Sequence, residues 1–375
     1  MFIPSEQTPF LVLLNTAIIV CIYLLMRKAI IFNKPVSKGK FRLVIVLCSI
    51  FMLYSVWGSD WFHYLEAFDE IKNGYQNSLE EIYYWIINEL CSSYITFRVI
   101  VWLSAFFFLL QGIRRLNLDR NVALFVFGTC WLALFSYARV SLAFAIMFYG
   151  LAFFYRPFFN KVFISRIIAI AIISSSIFFH KSAAFGICCI ALCLFFAKIG
   201  KRGIIFVLAC FPIIAIVAKF YVAQYLLIDF DIEGDMMNSY SSVGQRYMLR
   251  NVTETGVAAI IHRTLERLPH YLLVIQSIVF IRNKKYSAFP TDIQAFIRVQ
   301  MIIVILASIF AIDLGVNTSI VYIRFLRFAI IPSTIVLAYY YQHYRNMKLT
   351  KYTFTIAFLS AIYSTLYSAY CLIVK

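Results

Sequence analysis

The residues best suited to acid–base chemistry lie in a short turn between two apolar runs. The turn reads Phe178-Phe-His-Lys-Ser182, so His180 is followed directly by Lys181. Imidazole can accept a proton near neutral pH, and a neighbouring cation favours its neutral, base-competent form. A single His at the end of a helix can also be purely structural. We predict His180 as the first candidate for a catalytic base and Lys181 as a substrate-binding neighbour.

An acidic and aromatic segment, residues 57–94, contains seven carboxylates and one Lys. Aromatic faces can stack on sugar rings, and carboxylates accept hydrogen bonds from hydroxyl groups. An amphipathic helix with an aromatic belt at the membrane surface is the structural alternative. Asp60 follows the second apolar run directly. We therefore single it out as the second candidate base.

Arginines recur in positions that suit a phosphate-rich ligand. The guanidinium fork can bind a diphosphate through paired hydrogen bonds, and a cation within an apolar run is usually functional. Snorkelling side chains and solvated faces with internal ion pairs are the structural alternatives. We expect these arginines to form a cationic clamp for a diphosphate, and we place Arg139, in a tight turn, among the catalytic residues. The candidates are Arg139 in the turn 136–141, the i, i+4 pairs Arg246/Arg250 and Arg263/Arg267, and Arg324 with Arg327 in the eleventh apolar run.

The elements that must position these residues are membrane helices. Apolar types make up 63% of the 375 residues and charged types 14%, against about 45–50% and about 25% in soluble domains. This composition predicts an all-α polytopic membrane protein and excludes soluble enzymes and nucleic-acid partners. Apolar runs of near-spanning length predict about twelve transmembrane helices in one integral domain, residues 1–375. The runs are 10–26, 41–56, 95–111, 121–137, 140–155, 162–179, 182–197, 204–221, 269–281, 294–312, 319–341 and 352–373.

The charges predict which loops share a side of the membrane. Six alternate loops hold 21 of the 34 Lys and Arg residues, but only two carboxylates, Asp119 and Asp292. The positive-inside rule places these loops in the cytoplasm. The opposite side then carries two long outer loops, 57–94 and 222–268, and loops of that length are usually functional. The six basic loops are 27–42, 111–120, 156–166, 197–203, 282–292 and 342–351.

The cysteines give no sign of a metal or redox centre. Nine are present without a C-x-x-C pair, and eight lie within apolar runs. They indicate neither a disulfide framework nor a zinc site, and Cys91 is expected to be the accessible one. No pattern points to a cofactor or a metal, and we predict neither, although scattered carboxylates leave a metal open.

Four short motifs resemble the EpsG-like branch of the Wzy-type bacterial polysaccharide polymerases. A cationic cavity beside acidic, aromatic loops also suits the substrate of such enzymes, which has a lipid tail, a phosphate-rich junction and a sugar head. The glutamate motif lacks the Pro-Gly that usually follows its Glu, and Arg324 matches a late family arginine more loosely. The motifs are Asp60-Trp-Phe-His-Tyr64, Glu81-Ile-Tyr-Tyr-Trp85, Arg139-Val-Ser-Leu-Ala143 and Phe179-His-Lys-Ser182.

The resemblance implies a GT-C-like glycosyltransferase acting at the outer, periplasmic face of the bacterial inner membrane. It would transfer a growing glycan from undecaprenyl diphosphate to the next lipid-linked oligosaccharide unit, without a nucleotide sugar. The resemblance also implies that Tyr64 and Glu81 contact the substrate. A single displacement would invert the anomeric configuration. Membrane lipid and a chain-length regulator protein are further expected partners.

Other membrane functions remain as alternatives at this point. An O-antigen ligase or another lipid-linked glycosyltransferase would use the same donor and the same arginines. A flippase or transporter would fit twelve spans, but transporters tend to have Gly/Pro-broken helices and repeated halves. This chain has only 13 Gly and no visible repeat. A membrane acyltransferase would need a route for a cytoplasmic acyl donor, whereas most candidate residues are expected outside.

Overall fold

Apolar segments of this chain fold as helices, because a backbone in lipid must form its hydrogen bonds within its own segment. The structure, a computed structural model, describes residues 9–32, 34–54, 60–75, 79–136, 138–157, 161–197, 257–309, 322 and 325–373. These residues form helices and turns, with no strand among them. The all-α prediction is confirmed. The predicted run 204–221 lies outside the described residues.

The helices are numbered α1 to α13 along the described chain. Most coincide with a predicted apolar run, and α3 and α4 lie within the first predicted outer loop. They are α1 Pro9–Ile31, α2 Lys38–Tyr54, α3 Asp60–Lys72, α4 Glu81–Trp85 with the π-helix Ile86–Leu90 following it, α5 Tyr94–Arg115, α6 Arg120–Phe135, α7 Ala138–Tyr155, α8 Val162–Phe179, α9 Ala183–Ala197, α10 Val257–Arg282, α11 Thr291–Ile309, α12 Ile330–Tyr344 and α13 Lys348–Ile373.

Several helices have the length and composition of membrane spans. Among the described residues, four are long and apolar enough to cross a membrane: Leu13–Ile31, Tyr94–Arg115, Val162–Phe179 and Thr291–Ser308. The 18 residues of α8 rise about 27 Å, close to the ~30 Å thickness of a hydrocarbon core. Helices α6, α7 and α9 contribute shorter apolar segments. A membrane protein is therefore indicated, and the count of twelve spans and the GT-C-like arrangement stay predictions.

Two helices depart from the predicted runs. Helix α10 begins at Val257, ahead of the run predicted to start at residue 269, and Pro269 lies inside it. The charges before Pro269 lower the hydropathy of the segment without ending the helix. A turn at residues 328–329 precedes α12, so the run 319–341 is not one continuous helix.

Helices α5 and α6 each contain a π-helical stretch, Val99–Leu103 and Phe127–Trp131. Such stretches widen one turn of the helix and are frequent at functional sites. Around them, α7 packs against both α5 and α8, and α13 packs against α1 and α10. The π-helical stretch of α5 contacts α2 and α7, so it lies among the helices that lead into the candidate motifs.

The loops predicted to be cytoplasmic contact one another. The buried Asp292 carboxylate accepts hydrogen bonds from Arg156 Nε at 3.0 Å and from the Asn117 amide at 3.1 Å. Arg345 donates to the Ile30 carbonyl at 3.0 Å. The Arg345 bond joins loop 342–351 to loop 27–42. The Asp292 bonds join loop 282–292 to loops 111–120 and 156–166. Five of the six basic loops thus have a partner among these contacts, and their cytoplasmic side stays a prediction.

Polar side chains also connect helices inside the bundle. The His270 ring lies 4.6 Å from the Trp131 ring, and its Nδ1 is 2.8 Å from Ser333 Oγ. Ser277 Oγ and Tyr340 Oη are 2.7 Å apart. In an apolar bundle such hydrogen bonds join neighbouring helices, and here they tie α10 to α12.

The expectation that Cys91 is accessible is wrong. Its side chain is 3% exposed and packs into the apolar core, whereas Cys21 and Cys188 are the exposed thiols in the described residues. Burial raises the pKa of the Cys91 thiol, and the positive charge of Lys72 offsets part of that rise. The position after a π-helix and before α5 encloses a residue that the sequence places in a loop.

Candidate active site

His180 ends α8 and is held in a defined orientation. Its backbone is extended, and its N–H donates to the Ser176 carbonyl at 3.2 Å. The half-buried imidazole has Nδ1 3.1 Å from the Ser182 amide nitrogen and 2.6 Å from Ser182 Oγ. The adjacent Lys181 side chain is exposed. The turn therefore fixes the imidazole through one of its two ring nitrogens.

This contact determines the tautomer of neutral His180. A backbone amide can only donate, so Nδ1 must accept from Ser182 and carries no proton. The ring proton then lies on Nε2, which is a hydrogen-bond donor in the neutral form. The contact thus leaves Nε2 as the protonated nitrogen of the neutral ring.

The start of α4 is bonded to the same turn. The fully buried Tyr83 donates from Oη to the Phe179 carbonyl at 3.0 Å, across 96 residues of sequence. The Lys181 amide lies 3.4 Å from Glu80 Oε1. Glu81 is exposed, and its neighbour Glu80 makes the contact. The acidic, aromatic segment and the His180 turn are therefore brought together.

Asp60 and Tyr64 lie on the first turns of α3. Asp60 is the first residue of the helix, and Tyr64 follows four residues later on the same face. The half-buried Tyr64 ring meets the Trp102 ring edge-on, with centroids 6.0 Å apart. The indole of Trp102 donates to the Ser136 carbonyl at 3.1 Å. Arg139 lies three residues after this carbonyl, so Trp102 contacts the first motif and the backbone just before the third.

The segment that carries Arg327 lies beside the start of α9. Phe325 stacks on Phe185 with centroids 4.0 Å apart and an interplanar angle of 6°. Gly186 allows a close approach, because a Cβ there would lie 2.7 Å from Phe328 Cδ1. Phe185 is three residues beyond Ser182. The half-buried Arg327 therefore belongs to a segment packed next to the His180 turn.

A second aromatic group lies where α10 meets residue 322. The Arg267 guanidinium lies 4.5 Å from the Tyr322 ring centroid, a cation–π distance. Tyr322 Oη is 2.8 Å from Tyr271 Oη, which is 2.7 Å from Ser308 Oγ. Sequence patterns had paired Arg267 with Arg263 on one helix face, and the structure places both residues in α10. The sequence patterns did not reveal Tyr271 or Tyr322, because tyrosines in apolar runs carry no local signal.

The model of one protein family, the EpsG family, matches residues 40–373. The chain belongs to the EpsG family. No curated protein matches the chain, and no solved structure does. EpsG is a Wzy-like polysaccharide polymerase family, so membership indicates a polysaccharide polymerase-like, glycosyltransferase-like function. All four motifs lie within the matched residues.

Not every predicted site residue of this EpsG-family protein can be placed. Arg246, Arg250 and Arg324 lie outside the described residues. Asp60, Arg139 and Arg263 have described helical positions, and their side chains lie outside the described part. The candidates whose side chains are described are His180, Lys181, Tyr64, Glu81 and Arg327.

The described part of the EpsG-family chain contains no group of three His, Cys, Asp or Glu side chains that could hold a metal ion. The prediction that no metal or cofactor is used stays a prediction. The charged groups near the His180 turn are Lys181, Glu80 and the Arg327 segment. Such a set can donate to phosphate oxygens and accept from sugar hydroxyls.

Proposed function

We propose that the protein polymerises undecaprenyl-diphosphate-linked oligosaccharide repeat units at the outer face of the bacterial inner membrane. The observation that carries the proposal is the bonding of α4 to the His180 turn, through Tyr83 Oη and Phe179 O at 3.0 Å. It unites a carboxylate- and aromatic-rich segment with an imidazole within an EpsG-family chain. The acidic segment suits a glycan, and the turn with the Arg327 segment packed beside it suits a diphosphate.

The proposed reaction is a single displacement at the anomeric carbon. The acceptor hydroxyl oxygen bonds to this carbon, and the bond from the carbon to the diphosphate oxygen breaks. The electron pair leaves with undecaprenyl diphosphate, and the hydroxyl proton passes to a base. This path inverts the anomeric configuration and needs neither a nucleotide sugar nor a cofactor.

The orientation of His180 supports a donor role for its imidazole. Because Nδ1 accepts from Ser182, the proton of the neutral ring lies on Nε2, and we propose that this N–H donates during the reaction. Asp60, at the first turn of α3, then takes the proton of the acceptor hydroxyl. This assignment reverses the order in which sequence alone ranks the two candidate bases.

Arginines stabilise the charge that develops on the leaving diphosphate. Arg139, Arg324 and Arg327 are proposed for this role, since guanidinium groups bind phosphate oxygens bidentately. Arg327 is supported by the packing of Phe325 on Phe185 beside the His180 turn. The further candidates are Arg246, Arg250, Arg263, Lys181 and the glycan contacts Tyr64 and Glu81.

Gene deletion tests the function. The surface polysaccharide of the deletion strain should lose its high-mass ladder on a gel, while a single repeat unit stays attached to its carrier or core. Loss of all polysaccharide, single units included, would indicate export or ligation and would contradict the proposal. Complementation with wild type should restore the ladder, and so should Lys351→Ala, a charge removal at an exposed position of α13.

Two amide substitutions test the role of His180. The Gln side chain can place an N–H near Nε2, whereas Asn reaches only the position of Nδ1. A donor role predicts measurable chain elongation by His180→Gln and far less by His180→Asn. A base role predicts that both variants are inactive, because an amide does not take up a proton. Membrane levels of both variants should equal those of wild type.

A further inference from the structure

The outer end of α5 contacts every segment that carries a family motif, directly or through one partner. Its first residues are Tyr94–Arg98, followed by the π-helical stretch Val99–Leu103. Phe97, Arg98 and Trp102 are each no more than 2% exposed. A buried guanidinium in an apolar run is costly and is usually kept for function. None of these three residues belongs to a motif.

Arg98 binds the end of the helix that leads to Asp60. Its Nε donates to the Leu53 carbonyl at 3.1 Å, and its Nη2 lies 3.3 Å from the Met52 carbonyl. Both carbonyls belong to the last turn of α2, where the backbone has no intrahelical donors. Helix α3 starts with Asp60 a few residues later. Arg98 therefore fixes the point from which the chain enters the first motif.

Trp102 contacts the Arg98 guanidinium, the first motif, and the backbone just before the third motif. The guanidinium carbon lies 4.3 Å from the Trp102 ring centroid. The indole N–H donates to the Ser136 carbonyl, three residues before Arg139, and the Tyr64 ring packs edge-on at 6.0 Å. One side chain thus contacts the Tyr of the first motif and the backbone that precedes the third.

Phe97 extends these contacts to the other two motifs. Its ring centroid lies 6.1 Å from that of Tyr83, in an edge-on arrangement. Tyr83 belongs to the glutamate motif and donates to the Phe179 carbonyl next to His180. The second and fourth motifs are therefore held against α5 through Tyr83.

We propose that Arg98 and Trp102 are positioning residues that set the relative placement of the motif segments. This inference rests on the proposed function, because it concerns residues that act through Asp60, Tyr64 and Arg139. A planar guanidinium can donate to two carbonyls in its plane while its face lies on an indole. Lys has neither the fork nor the flat face. Both features of Arg98 are used at once.

Kinetics separate positioning from simple stability. Trp102→Phe keeps a ring and removes the indole N–H, and Arg98→Lys keeps the charge and removes the fork. For both variants, the kcat for elongation of a lipid-linked repeat unit, measured per folded protein, should fall by about tenfold to a hundredfold. Small misplacements of reacting groups lower reaction rates by this factor. KM should change little. Tyr352→Phe and Arg114→Lys, both at exposed positions outside the motifs, should match wild type.

A distance measurement tests the same inference without the reaction. Spin labels at the exposed positions Asp69 and Phe178 report on α3 and on the His180 turn, in a background lacking other reactive thiols. Arg98→Ala should broaden or shift the distance distribution, and Arg114→Ala should not. An unchanged distribution overturns the positioning role, even if activity is lost. Wild-type protein that elongates no lipid-linked unit would refute the proposed function, while the distances would still decide the role of Arg98.

Discussion

Tyr83→Phe is the smallest change that separates α4 from the His180 turn. It deletes the hydroxyl that donates to the Phe179 carbonyl at 3.0 Å and keeps the ring, which meets Phe97 and Phe179 edge-on. Removing one partner of a buried hydrogen bond costs about 1–3 kcal/mol. Because Phe179 is only half-buried, water can partly replace the donor. We expect a loss of about 1–2 kcal/mol in the free energy of unfolding.

The assay combines stability with activity. Denaturant unfolding of the purified protein in detergent gives the free-energy change, and a complemented deletion strain gives the distribution of polymer lengths. Tyr75→Phe is the matched control, because it removes a hydroxyl from the same segment, 57–94, at a side chain that is 67% exposed. We expect the control to leave both readouts unchanged. The variant should lower elongation per folded protein, because the turn loses its hydrogen bond with α4.

Two results would contradict this reasoning. Equal unfolding free energies for Tyr83→Phe and Tyr75→Phe would show that the hydrogen bond does not connect the two segments. A loss of stability with normal elongation per folded protein would show that the link is structural and does not orient His180.

Three substitutions and one labelling experiment probe the rest of the fold. Asp292→Asn should lower the free energy of unfolding by on the order of 1 kcal/mol. This is the lower end for a charged hydrogen bond, because the partner Arg156 is 46% exposed. An unchanged denaturation midpoint would contradict this prediction. Gly186→Ala should destabilise by about 1–3 kcal/mol, since its Cβ would lie 2.6 Å from a methionine methyl. Gly112→Ala, whose Cβ meets only two backbone atoms of Tyr149 at 3.7 and 4.0 Å, should be near neutral by the same unfolding assay. Cys91 should react slowly with maleimide at neutral pH and faster as the pH rises. Burial raises the pKa of its thiol, so less thiolate is present at neutral pH. Rapid labelling at pH 7 would contradict the burial of Cys91.

Composition and charge predict much of this architecture for a physical reason. A membrane helix must be apolar over its whole length, so the runs 162–179 and 182–197 nearly coincide with α8 and α9. The basic residues of a loop determine its side of the membrane during insertion, and this rule too depends only on the local sequence. The contacts of Asp292 and Arg345 then join basic loops to one another. Local rules therefore predict the elements and the grouping of their ends.

The neighbours of each helix were not predictable from the sequence. Helices such as α9 and α13 are apolar on most of their surface, so no face marks the side that meets a partner. The contacts of Arg98 with α2 and of Trp102 with Ser136 depend on tertiary packing over tens of residues. Arg98 lies in the predicted apolar run 95–111, and only the packing shows what its guanidinium binds.

The glutamate motif shows how a family pattern can shift within one chain. The usual Pro-Gly after its Glu is missing, and a helix begins at Glu81 instead. Glu80 becomes the extended residue before that helix, with φ −64° and ψ 145°, and its carboxylate lies 3.4 Å from the Lys181 amide. Glu81 lies within the helix and is exposed. Because the carboxylate beside the His180 turn belongs to Glu80, the function that a motif match assigns to Glu81 is better sought one residue earlier.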